Sequence, residues 1–202
     1  MVAIVRKMHY EDNKEGIRLQ RRSRQYKHAM LQMADRKATM DSVYQKVMNL
    51  SVLRFTGGND AVLEYSICID PDRNKKLKKP VSRYHANSAV NDMNSPFAKI
   101  MGNRIRYTLI PQKSTFIHFH TNRNREINNG TPRENDTEYK LLEKVKEDIH
   151  DRYQEGLIRM YTYYEPCLSC DYVIIQFTER YPNIDIEIYY EEEYKPQEKG
   201  LI

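Results

Sequence analysis

From residue 157 onward the chain leaves room for little besides a strand, a helix and a second strand. Residues 157–163 read as a strand, 167–181 as a helix stopped by Pro182, and 184–190 as another strand. Two strands joined through a helix by tight connections pair in parallel with a right-handed crossover, which commits this region to an α/β sheet. Ile184, Ile186 and Ile188 alternate with Asp185 and Glu187, so the last strand has one covered face and one nearer solvent. A further helix, from about 136 to 153 and stopped near Gly156, leads into this unit.

Upstream, residues 61–69 look like a strand, 70–80 a charged loop, and 86–101 at least partly helical. Residues 104–110 and 114–120 alternate as two strands of a hairpin turned at Pro111-Gln112-Lys113, and 121–135 is a polar loop. Residues 10–50 read as helix, with Ile17, Met30, Leu31, Met33, Ala34, Val43, Val47 and Leu50 about one turn apart among charges. Gly57-Gly58-Asn59-Asp60 is a turn. It divides the chain into a helical N-terminal extension, 1–56, and a compact domain, 57–202.

With 202 residues, the chain can bury one core of ordinary size plus an appendage. Charged residues make up 30% and mean hydropathy is −0.82; no apolar run approaches the roughly 20 residues of a membrane helix. The only early apolar patch, Val2 to Val5, is too short for a secretory signal. The expected site of action is cytoplasmic, reached without a cleaved leader. Of three cysteines, Cys167 and Cys170 form a C-x-x-C and Cys68 sits in a strand-like run as a small apolar residue, so a disulfide framework is excluded. The net charge of +5 is unevenly placed: through residue 50 eleven Lys/Arg face five Asp/Glu, and Glu191-Glu192-Glu193 lies near the end. More basic groups follow at 73–79, Arg104, Arg106, Arg123, Arg125 and Arg133. Such stretches suit a polyanion, although each one taken singly is equally a solvated surface.

The chemistry gathers at two helix starts. Glu138, Leu142, Val145 and Ile149 share one helix face, which turns the Glu138 carboxylate toward the core. Buried and ionised it costs several kcal/mol unless a cation, a hydrogen-bond network or a raised pKa relieves it. The plainer reading makes Glu138 a first-turn acid and Asp136 an N-cap. At the second start Pro166 suits the first turn, and Cys167 and Cys170 fall one turn apart at a helix N-terminus, where thiolate is favoured. Two thiolates and Asp136 can supply three ligands and leave a fourth position open, the pattern of a catalytic zinc, with Glu138 moving protons between water and a leaving amine. A thiol redox pair is a rival, but Pro166 precedes the cysteines and the chain has no Trp. A structural zinc knuckle would want a second C-x-x-C.

At these residues the chain resembles the cytidine deaminase-like zinc superfamily, whose pattern is His-, Cys- or Asp-x-Glu followed by Pro-Cys-x-x-Cys. More narrowly, Asp136-Thr-Glu-Tyr-Lys-Leu-Leu-Glu143, residues 161–170 and Gln176-Phe-Thr-Glu-Arg-Tyr-Pro-Asn-Ile184 are similar to the bacterial polymorphic-toxin deaminases. The resemblance spans about residues 95–190. It implies an α/β, three-layer fold with a mixed β-sheet flanked by helices, Zn2+ held by Asp136, Cys167 and Cys170, and Glu138 as proton shuttle. It further implies hydrolytic removal of an exocyclic amine, cytosine before adenine, an immunity protein as partner, and delivery by a specialised secretion system. Asp136 departs from the commoner His. His118 and His120, on one face of the second hairpin strand, are candidates to contact substrate or to replace Asp136; solvent-facing histidines are the plain alternative. Tyr163 and Tyr164 are candidates to stack on a base, or are simply packed. Single-stranded DNA or RNA is the expected substrate. Free nucleosides or nucleotides, and a non-catalytic zinc-stabilised nucleic-acid-binding module, remain the alternatives.

Overall fold

The computed structural model describes residues 2–38, 54–67, 82–104, 106–122 and 125–193. Cys68, the charged stretch 70–80, Arg123 and residues 39–50 of the expected N-terminal helix lie outside the described residues. Five strands, β1 (Val5–His9), β2 (Asp60–Ile67), β3 (Ser82–Asn87), β4 (Gly156–Tyr164) and β5 (Ile184–Glu192), form one mixed sheet in the order β1-β5-β4-β2-β3. β4 and β5 run parallel with Ile158 opposite Ile186, as the strand, helix, strand pattern requires. β1 is parallel to β5, and β2 is antiparallel to both β4 and β3.

Helices α3 (Thr137–Val145) and α4 (Leu168–Arg180) cover one face of the sheet. Leu141, Leu142, Val145, Val173, Ile174 and Phe177 meet Leu63, Tyr65, Ile158, Met160, Ile186 and Ile188 there, all buried. Full burial of each such side chain contributes about 1.5–3 kcal/mol. The opposite face carries helix α1 (Lys14–Ala38), which buries only Leu19 against Val62, Tyr161 and Tyr189. Around that small patch run ion pairs. Glu64 takes Arg18 Nη2 at 2.6 Å and Arg83 Nε at 2.7 Å, and Arg159 Nε lies 2.9 Å from Glu187 Oε2. Gly16 permits the approach of α1, since a β-carbon there would come within 2.5 Å of the Tyr10 carbonyl oxygen. The second half of α1 packs with Phe55 and with helix α2 (Pro96–Met101), where Phe55 and Phe97 stack at 4.0 Å.

Three expectations change. β1, which the sequence did not announce, enters the sheet from within the segment expected to be helical extension. The expected hairpin over 104–120 is absent, because the helices take over its hydrogen bonds. Glu143 Oε1 accepts from Thr115 N (2.6 Å) and Phe116 N (2.7 Å), Gln176 bonds both backbone groups of Ile117, and Ser169 Oγ accepts from Phe119 N. Among the described residues of this segment only Tyr107 keeps a strand-like contact, a single bridge to His85. Finally, α3 tightens into a 3-10 turn at Lys146–Asp148, from which Ile149 still reaches the core. No helix among the described residues is long and apolar enough to cross a membrane.

Candidate active site

The starts of α3 and α4 meet at the end of β4. Asp136 is the N-cap of α3, yet its carboxylate makes no capping bond. It turns toward the other helix, where Oδ2 lies 3.2 Å from Cys167 Sγ and 3.1 Å from Cys170 Sγ. The two sulfurs are 3.3 Å apart and not bonded as a disulfide. Cys167 is the N-cap of α4, so Pro166 stands just ahead of the helix, and Cys167 Sγ accepts the Cys170 amide at 3.4 Å. Asp136, Cys167 and Cys170 are a group whose donor atoms could hold one metal ion. Bonds of about 2.3 Å to sulfur and about 2.0 Å to oxygen at tetrahedral angles put donors about 3.5–3.8 Å apart, only a few tenths beyond these separations.

Glu138 is buried directly behind, 2% exposed, with Oε2 3.6 Å from Cys170 Sγ. Thr162 Oγ1 donates to its Oε1 at 2.6 Å and Thr137 Oγ1 to Oε2 at 3.1 Å. Burial first, and then the Asp136 charge, push the Glu138 pKa above the ordinary carboxylate range, against the pull of those hydroxyls. A hydrogen bond with Cys167, burial and both carboxylates push the Cys170 thiol well above its usual value. These effects outweigh the helix-start preference for thiolate. Four acidic groups thus crowd one spot at the end of β4. A dication held here would offset the carboxylates and favour thiolate at Cys170.

Side chains that the sequence did not single out as part of the site hold this arrangement. Asn59 Nδ2 donates to Thr137 Oγ1 (2.9 Å) and Thr162 Oγ1 (3.0 Å), while its Oδ1 accepts the Tyr163 amide at 3.0 Å. It ties β2, α3 and β4 together beneath Glu138. The signal was its place in the Gly57–Asp60 turn at the mouth of β2. Lys140, wholly buried, donates to Asn87 O, Val90 O and Asn91 Oδ1, and burial lowers its pKa to about 7. Arg133 donates twice to Thr121 O (3.1 and 2.7 Å) and sits 3.7 Å from Asp136 Oδ1. It braces the acid against the polar loop. That loop turns at Gly130, whose φ of +103° suits glycine and whose β-carbon would meet Thr121 O at 2.6 Å.

A cavity of about 720 Å3 opens over the cluster, lined by Asp136, Glu138, Cys167 and Cys170, by Thr121, Gly130 and Arg133 on one side, and by Glu165, Glu192 and Glu193 on another. Tyr164 lines it too, its ring perpendicular to that of Tyr163 at 4.8 Å. His118 and His120 are not among its lining residues. The His118 ring packs edge-on against Tyr139 at 4.7 Å, and His120 is exposed.

No curated protein matches the chain. A family model does, over residues 37–192, which takes in the last two residues of α1, both helix starts and all strands but β1. Its description is Toxin-deaminase, the BURPS668_1122 family of deaminases, and the match spans more than half of the chain. The chain therefore belongs to the BURPS668_1122 family of toxin deaminases.

Proposed function

We propose that this deaminase is zinc-dependent and acts on a nucleobase, most readily cytosine in single-stranded DNA or RNA, inside a target cell where an immunity protein is its counterpart. The observation that carries this reading is the convergence of Asp136, Cys167 and Cys170 beside a buried Glu138 at the floor of an open cavity. Those three residues would hold the ion, whose contribution when bound is to make water a nucleophile at neutral pH. The overall change is hydrolytic: a water oxygen bonds to the amidine carbon of the base, the bond to the exocyclic nitrogen breaks, and ammonia leaves. Glu138 is suited to carry the protons. Thr162 fixes Oε1 and leaves Oε2 on the cysteine side, where the carboxylate is placed to take a proton from water and return it to the departing nitrogen. Asn59 and Thr137 set its rotamer, Arg133 steadies Asp136, and the loop at Thr121 and Gly130 closes one side of the base pocket.

Free nucleosides are the second reading, favoured by Glu165, Glu192 and Glu193, which repel phosphates along one wall of the cavity. The test is ammonia release from cytidine, adenosine and single-stranded DNA and RNA, with the polymers sequenced for base changes, together with metal content per chain. We expect C-to-U conversion, one zinc per wild-type chain and none in Cys167→Ser. Zinc-free active protein, or zinc-loaded protein that converts no base, would overturn the proposal.

A further inference from the structure

Next to the catalytic cavity lies a second compartment of about 350 Å3, within the roughly 300–1,000 Å3 of small-ligand sites. Arg24 and Lys27 of α1 stand on one side of it and Tyr163 and Tyr164 on the other. The two spaces adjoin, because Gly57 and Tyr164 line both. At Gly57 the partition is bare backbone: a β-carbon there would have no neighbour within 4 Å. Arg24 and Lys27 lie before the segment matched to the family, so membership assigns these two cations no role.

We infer that this compartment receives the nucleotide adjacent to the target base, which makes a polymer, rather than a free nucleoside, the preferred substrate. The inference rests on the nucleobase-deaminase reading above and adds the direction in which the strand leaves the site. Charge decides that direction. Along one wall of the catalytic cavity Glu165, Glu192 and Glu193 oppose phosphate, whereas the passage past Gly57 leads to Arg24 and Lys27.

Of the two cations, Lys27 is committed to Asp60 and to the Thr56 carbonyl oxygen and shapes the wall. Arg24, its side chain 62% exposed, is the one that can turn to a ligand. Its partner Glu191 also accepts from Tyr161 Oη at 2.6 Å and from Gln20 Nε2 at 3.2 Å, so Glu191 keeps hydrogen bonds when Arg24 swings to a phosphate. With its guanidinium this exposed, the pair to Glu191 is open to competition from solvent and from a phosphate. The perpendicular rings of Tyr163 and Tyr164 offer a face and an edge to the neighbouring base.

The experiment compares kcat/KM for a cytidine mononucleotide and for cytosine-containing tetranucleotides of DNA and RNA, in the wild type, Arg24→Ala and Gly57→Leu. Stacking one further base predicts a gain of about tenfold or more for the tetranucleotide in the wild type. Both variants should lose that gain through KM, Gly57→Leu by filling the passage. Arg24→Ala should also flatten the salt dependence of tetranucleotide affinity by about 0.7 in log–log slope. Equal efficiency on mononucleotide and tetranucleotide, or variants that keep the wild-type gain, would overturn the inference and leave a nucleoside deaminase standing. No ammonia from either substrate would instead remove the reading beneath it.

Discussion

The two faces of the sheet are built on different physics. Under α3 and α4 the strands present Leu63, Tyr65, Ile158, Met160 and Ile186, and the helices answer with aliphatic and aromatic side chains. Under α1 the alternate positions of the same strands present Glu64, Arg159 and Glu187, answered by arginines and Glu15. Burial would raise the Glu64 pKa, but hydrogen bonds from Arg18 and Arg83 hold it below the ordinary range. The first face is held by close apolar packing, with no polar partner there for solvent or salt to compete for. The second has partners that solvent and salt can compete for. A buried acid that must keep one rotamer belongs to the first face, and the compartment proposed for the neighbouring nucleotide lies beside the second.

The largest expected effect tests where the chemistry lives. Glu138→Gln should lower kcat by about 10²–10⁴-fold, the usual contribution of a proton-transfer group, with the melting temperature held. Glu64→Gln, on the other face, should leave kcat near the wild type. Equal losses of kcat in the two variants would break the comparison.

Stability comes next. Phe177→Ala opens the apolar face and should cost about 3–5 kcal/mol in denaturant unfolding, with little change between low and high salt. Glu64→Ala strips the shared partner from Arg18 and Arg83 and should cost about 2–3 kcal/mol at low salt, and less at 0.5 M or so, where screening lengths shrink to a few ångströms. A Glu64 effect indifferent to salt would mean that its carboxylate acts by packing rather than charge.

How much the sequence revealed follows the same division. The β4–α4–β5 unit and the helix before it were legible, because apolar periodicity reports burial and this is the face that buries apolar side chains. Asp136, Glu138, Cys167 and Cys170 were legible as a group for a related reason: helix starts are marked by Pro and capping residues, and they bring sequence-distant side chains to one level. β1 was not. Val5-Arg6-Lys7-Met8-His9 has no alternation, and its place is set by backbone pairing to β5 at the open edge of the sheet. The expected hairpin failed because alternation in 114–120 says nothing of whether a neighbouring strand or a helix side chain such as Glu143 takes the amides. Asn59 and Lys140 act through geometry that no local pattern records.

The smallest effect probes how well α1 seals its face. His85 of β3 stacks on Tyr26 of α1 at 3.9 Å, and Arg22, Arg83 and Glu64 are its charged neighbours. Burial, reinforced by the two arginines and opposed by Glu64, lowers its pKa from 6.5 to about 4. Between those values the unfolded chain binds a proton that the folded chain refuses, so this residue's contribution to stability is complete above pH 6.5 and is lost as pH falls toward 4. The loss should be on the order of 1 kcal/mol between pH 7.5 and pH 5.5. His85→Phe keeps the stack on Tyr26 and removes the titration, so urea unfolding across that interval should lose about this much of its acid slope. An unchanged slope would show that water reaches the imidazole, and that α1 covers β3 as a lid over ions rather than as a wall of the core.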